Sequence, residues 1–148
     1  MTARVVVAGI GNDFRRDDGA GPAVARLVAA STGAEDIGPI AEPLDLVGRW
    51  EAATLAVLVD ATRSDAPAGT VCLVDLGDAD HQSNTSTHAI GLDRVVRLAQ
   101  ALGSAPNRVV VVGVEGLDFS DGTGLSPPVR DAVPLAARRI ADLITETA

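Results

Sequence analysis

The chain has 148 residues, 47% of them apolar, and a formal charge of −8. That length suits one domain, residues 1–148, with a core of its own. The acidic balance argues against nucleic acid or an anionic membrane as partner. No apolar run approaches the roughly 18 residues of a membrane span. Met1-Thr2-Ala3-Arg4 runs directly into an apolar stretch and leaves no room for a signal peptide. The one cysteine, Cys72, excludes an internal disulfide and fits a reducing cytoplasm.

Phe14, Trp50 and Phe119 are the only aromatics, so Val, Leu, Ile and Ala must fill the core. Residues 4–8 read as a first buried strand that runs into Gly9-Ile10-Gly11-Asn12. A polar loop follows, and Pro22 is placed to begin a helix over 22–31, with Val24, Leu27 and Val28 on one face. Residues 37–42 are a weaker strand, demoted to an edge by Gly38 and Pro39. A short helix over 45–53 carries Leu46, Val47 and Trp50. Residues 54–59 read as a strand buried on both faces and ending at Asp60.

The turn-rich link to the next strand, 70–76, is too short for a helical crossover. Those two strands should therefore run antiparallel. Cys72 lies in the second of them and is expected in the core. After a polar loop over 77–87 comes a helix over 88–102, capped by Ser86 or Thr87. Its apolar face is Leu92, Val95, Val96, Ala99 and Leu102. Residues 108–114 form another buried strand, and Ser126 caps a last helix that carries Val129, Val133, Ala136, Ala137, Ile140, Leu143 and Ile144. The expected fold is α/β: a three-layer domain whose mostly parallel, mixed sheet of about five strands has helices on both faces.

If the first, third and fifth strands are parallel, the loop 9–18, Asp60 and Glu115 share the carboxyl edge, where open α/β sheets bind ligands. The helix that feeds the last strand begins at that edge too. Asp18, Asp60 and His88 then converge. Two carboxylates and an imidazole suit Zn²⁺, Ni²⁺, Mn²⁺ or Fe²⁺ and leave positions open for a substrate group. Each residue also has a plain structural reading. Asp17 and Asp18 precede a helix, where acids favour the dipole; Asp60 can accept from turn amides; His88 can bond backbone at a helix start. His81 reads as solvated and Trp50 as core, while Glu115 can cap or hydrogen-bond as easily as react. Arg15 and Arg16 form a solvated tip or steer an acidic partner segment. No Gly-x-Ser-x-Gly elbow, third dinucleotide-binding glycine or Walker lysine is present.

Taken together, these motifs resemble the endopeptidases that mature nickel-iron hydrogenase large subunits. The resemblance rests on Gly9-Ile10-Gly11-Asn12, Asp17-Asp18, Gly19-Ala20-Gly21, Val59-Asp60-Ala61 and Pro67-Ala68-Gly69. It continues with Ser86-Thr87-His88 before Gly91-Leu92, the valine run 109–113, and Leu125-Ser126. The order is kept over nearly the whole chain. The resemblance implies an aspartic-type, nickel-dependent endopeptidase with Asp18, Asp60 and His88 as metal ligands and catalytic residues. The nickel would arrive in the large-subunit precursor, whose C-terminal tail is cut off. The metal would polarise the scissile carbonyl, activate water or fix register, with Asp17 or Asp18 as general base. One departure is that Ile40-Ala41-Glu42-Pro43-Leu44-Asp45 stands where the family often has a glycine-rich loop. A non-cleaving chaperone of the large subunit and an unrelated small metallohydrolase are the competing readings. Tail loss separates the first from a protease, and activity on simple peptides would mark the second.

Overall fold

Buried valine runs set the frame. In a computed structural model, which describes residues 3–76 and 87–147 except the side chains of 87–90, they form the centre of one sheet. Its strands are β1 (Val5–Ile10), β2 (Glu35–Asp36), β3 (Leu55–Thr62), β4 (Val71–Asp75) and β5 (Arg108–Glu115). Their spatial order is β2-β1-β3-β5-β4, with only β4 antiparallel to its neighbour. The helices are α1 (Ala20–Thr32), α2 (Thr87–Ala101) and α3 (Pro127–Thr147).

Alternation along the central strands feeds two cores. Val7, Val57, Val59, Val110 and Val112 pack against α1 and α3. Val6, Ala8, Ala56, Leu58 and Val111 face the other way, towards Leu46, Trp50 and α2. Helices thus cover both faces, as the apolar runs predict. Trp50 is fully buried, and β1, β3 and β5 run parallel in register.

Several local expectations are corrected. Residues 37–42 are not a strand; β2 lies just before them and is only Glu35–Asp36. Pro39 has no N–H to give a ladder, so the segment clings to β1 through Ile37 N–H to Val7 and Ile40 N–H to Gly9. The helix expected over 45–53 is a 3-10 turn, Pro43–Gly48, that starts where proline tolerates a first turn. Asp60 lies inside β3, which continues to Thr62. β4 does run opposite to β3, but it pairs with β5 rather than with β3. On that edge Cys72 is exposed, not core. Leu27 and Leu102 are likewise exposed, at 40% and 63%: α1 turns Val24, Ala25 and Val28 inward instead, and Leu102 lies in the turn just past the end of α2.

The two Gly-x-Gly pairs have a packing origin. A Cβ on Gly21 would lie 2.2 Å from the Val59 carbonyl oxygen and 2.8 Å from that of Ile10. A Cβ on Gly9 would lie 2.3 Å from the Pro22 nitrogen. The first turn of α1 therefore rests directly on the carboxyl ends of β1 and β3, with no room for a methyl group. Gly21→Ala is expected to cost about 3 kcal/mol by overpacking, read as a lower urea midpoint at unchanged m-value.

Candidate functional site

The loop after β1 is closed on itself by short-range bonds. Asn12 N–H donates to Asp18 Oδ2 at 2.8 Å, and Phe14 N–H to Asn12 Oδ1 at 2.9 Å. Arg15 N–H donates to the Asn12 carbonyl, and Asp18 N–H to the Arg15 carbonyl. Gly11 sits at φ +138°, and a Cβ there would lie 2.0 Å from the Asp18 carbonyl oxygen. Glycine is thus required both for the backbone angle and for the close approach. The result is a 3-10 turn, Arg16–Gly19, that presents Asp18 at the end of β1.

Asp60 reaches the same place from β3. It stands opposite Ile10 of β1 and Gly113 of β5 and is 2% exposed. Asp18 and Asp60 line one cleft of about 380 Å³, together with Gly11, Arg15, Ala41, Pro43 and Gly91-Leu92 of α2. An outer lobe of about 430 Å³ shares Gly11, Arg15, Asp18 and Ala41 and adds Asn12, Asp13, Phe14 and Pro39. His88 is the second residue of α2, three and four positions before Gly91 and Leu92. Its side chain lies outside the described residues, as does the whole of His81. Among the described residues no three His, Cys, Asp or Glu side chains form a metal-holding group. A cation would therefore need donors beyond Asp18 and Asp60, from His88 or from the substrate. Two carboxylate oxygens facing one cleft are hard donors that suit a divalent ion.

Asp17, though adjacent to Asp18, does something different. It is fully buried. Its Oδ2 accepts from the backbone of Leu117 at 2.9 Å and Asp118 at 2.8 Å and from the Ser126 hydroxyl at 2.7 Å; its Oδ1 accepts from Ser126 N–H at 2.7 Å. Burial pushes its pKa up, but the Ser126 and backbone bonds outweigh that and hold it below the usual aspartate value. A carboxylate saturated in this way is a poor proton acceptor, so Asp17 is a structural anion rather than a general base. The Ser126 hydroxyl, expected as a helix cap, is spent on this contact.

Glu115, the last residue of β5, is also a tether. It accepts from the Thr62 hydroxyl at 2.8 Å, Ser64 N–H at 2.7 Å and the Ser64 hydroxyl at 2.8 Å, fixing the turn after β3. Burial raises its pKa and the Ser64 and Thr62 bonds more than offset this. Neither tether can be read from the sequence, since the Asp17 and Glu115 partners come from remote segments. The sharing of roles between Asp17 and Asp18 emerges only from their opposite orientations.

The comparisons with known proteins agree with this fold. The family described as hydrogenase maturation protease matches residues 40–143. The hydrogenase expression/formation protein HupD of Bradyrhizobium diazoefficiens is 30% identical over 138 residues, covering 88% of this chain and 72% of that one. A [NiFe] hydrogenase maturation protease, HycI of Thermococcus kodakarensis, is 27% identical with a TM-score of 0.68, covering 98% of this chain and 92% of that one. The hydrogenase maturating endopeptidase HybD of E. coli shares the fold with a TM-score of 0.81 at 21% identity, covering 98% and 94%. This chain belongs to the hydrogenase maturation protease family and is a peptidase. No helix among the described residues is long and apolar enough to cross a membrane.

The depressed carboxyls fix the sign of the acid response. A folded-state pKa below the unfolded value gives stability that is complete above the unfolded pKa, about 4, and fades as pH falls through the folded one. Urea unfolding should therefore show declining stability below about pH 4.5. Asp17→Asn should cost about 2–3 kcal/mol at pH 7 and give a shallower acid decline than the unaltered chain.

Proposed function

We propose that this peptidase removes the C-terminal extension of a nickel-loaded hydrogenase large-subunit precursor. Asp18, Asp60 and His88 would act as the protein's ligands to the nickel carried by that precursor. One observation supports the reading above the others: Asp18, from the turn after β1, and Asp60, from β3, line a single cleft beside Gly91 and Leu92 of α2. Helical spacing puts position 88 on the same face as 91 and 92. The nickel belongs to the substrate, and its contribution is Lewis acidity or registration of the bond to be cut.

The chain's own part is to hold that bond at the sheet edge and to manage the proton of the attacking water. Asp18 is the candidate general base: it is partly exposed in the cleft, and one of its oxygens is occupied by Asn12 N–H. Water adds across the peptide bond, its hydroxyl going to the carbonyl carbon and its proton passing by way of the base to the leaving nitrogen. The free Cys72 fits a reducing cytoplasm as the site of action.

The test is the intact mass of a cognate large-subunit precursor after incubation with this protein, with and without nickel loading. A discrete C-terminal loss confined to the nickel-loaded sample is the expected result. A stable nickel-dependent complex with an unshortened precursor would replace cleavage by a holding role. Cleavage of simple peptides without any precursor would point to a general metallohydrolase. Asp60→Asn and His88→Ala should each lower processing by about 100-fold or more while keeping the thermal transition. Processing by the His88 variant at the unaltered rate would remove His88 from the site.

A further inference from the structure

The loop that carries Asp18 also carries two side chains that metal contact leaves unused. Phe14 is 70% exposed. Arg15 lines both lobes of the cleft, and among the described residues its guanidinium has no hydrogen bond or ion pair. Its neighbours differ: Asp13 pairs with Arg26 at 3.3 Å, and Arg16 with Asp118 at 3.7 Å. Arg15 is also the one cation among the described side chains that line the two lobes.

The backbone under this pair is fixed. Phe14 and Arg15 donate their N–H groups to Asn12, and Phe14 accepts through its carbonyl from Gly122 N–H. An aromatic ring and a free guanidinium on a rigid turn can bind without the cost of ordering a loop. The outer lobe's lining also includes apolar Pro39 and Ala41, and Pro43 lines the inner lobe beside Ala41. The charges are divided as well. Asp18 and Asp60 line the inner lobe and Asp13 and Asp18 the outer one, so among the described lining side chains Arg15 is the one that would attract an acidic group.

We propose that the outer lobe seats the peptide segment beside the cut bond, with Phe14 covering an apolar side chain and Arg15 pairing with a carboxylate of that segment. This rests on the peptidase reading above. Phe14 and Arg15 are then specificity determinants: a cation bound at the two aspartates and a carboxylate bound at Arg15 hold the substrate at two points and set its register. The carboxylate is either an acidic side chain or the free end of the tail.

The test measures initial processing rates over a range of precursor concentrations for the unaltered chain, Arg15→Lys, Arg15→Gln, Arg15→Glu and Phe14→Ala. Arg15→Glu should raise KM about tenfold, with kcat changed less than about twofold. Arg15→Gln should raise it by less, and Arg15→Lys least, because lysine keeps the charge but loses the bidentate fork. Phe14→Ala should also raise KM. Precursors with each acidic residue near the cut changed to Lys, and one whose tail is lengthened by two glycines, separate the two sources. An acidic side chain is assigned if its Lys variant reproduces the defect and is processed better by Arg15→Glu. The free end is assigned if lengthening reproduces the defect instead. Cleavage by the unaltered chain with an unchanged KM in Arg15→Glu overturns the pairing, as does a KM rise that no precursor change reproduces. An unchanged KM in Phe14→Ala overturns the role of the ring. Failure of the unaltered chain to cut any nickel-loaded precursor overturns the peptidase reading and this proposal with it.

Discussion

Four hydrogen bonds converge on the buried carboxylate of Asp17, from Leu117, Asp118 and both the backbone and hydroxyl of Ser126. They join the loop after β1 to the loop after β5, two segments that meet only through tertiary structure. The pairing continues on either side, with Arg16 N–H to the Gly122 carbonyl and Asp17 N–H to that of Asp118. A buried anion without such donors would be very costly, and the donors would be orphaned without it. Each loop therefore holds the other in place. Because Asp18 follows immediately, the geometry of the cleft depends on this contact.

Adjacent acids thereby take opposite duties. Asp17 turns inward and is saturated; Asp18 turns towards the cleft with one oxygen held by Asn12 N–H. The backbone makes this possible at small cost, since a tight 3-10 turn sends consecutive side chains about a third of a revolution apart. Glu115 repeats the inward solution at the end of β5, binding Thr62 and Ser64. The saturated carboxylates of Asp17 and Glu115 thus build the walls, whereas Asp18 and Asp60 line the cleft.

The segment that lacks the family's glycine-rich loop also has a definite place. Ile40 exchanges backbone bonds with Gly9 and Gly11, which holds Ala41 and Pro43 against the cleft as fixed apolar wall. A rigid wall there narrows the shapes a substrate segment can take. Phe14 and Arg15 line the outer lobe with Ala41, from an equally fixed turn.

The sequence by itself determined the layers, the parallel central strands and the edge at which polar residues gather. Hydrophobic runs and helical periodicity are local signals, and the short link before β4 sets its direction. The ordered motifs also identified the family and brought Asp18 and Asp60 to one edge. Only the tertiary structure decided that β4 pairs with β5, that residues 37–42 follow β1 without forming a strand, and that Cys72 faces out. It alone separated Asp17 from Asp18 in role. Those outcomes depend on donors and neighbours from distant parts of the chain, such as Ser126 for Asp17 and Gly113 for Cys72, whose proximity no local pattern encodes.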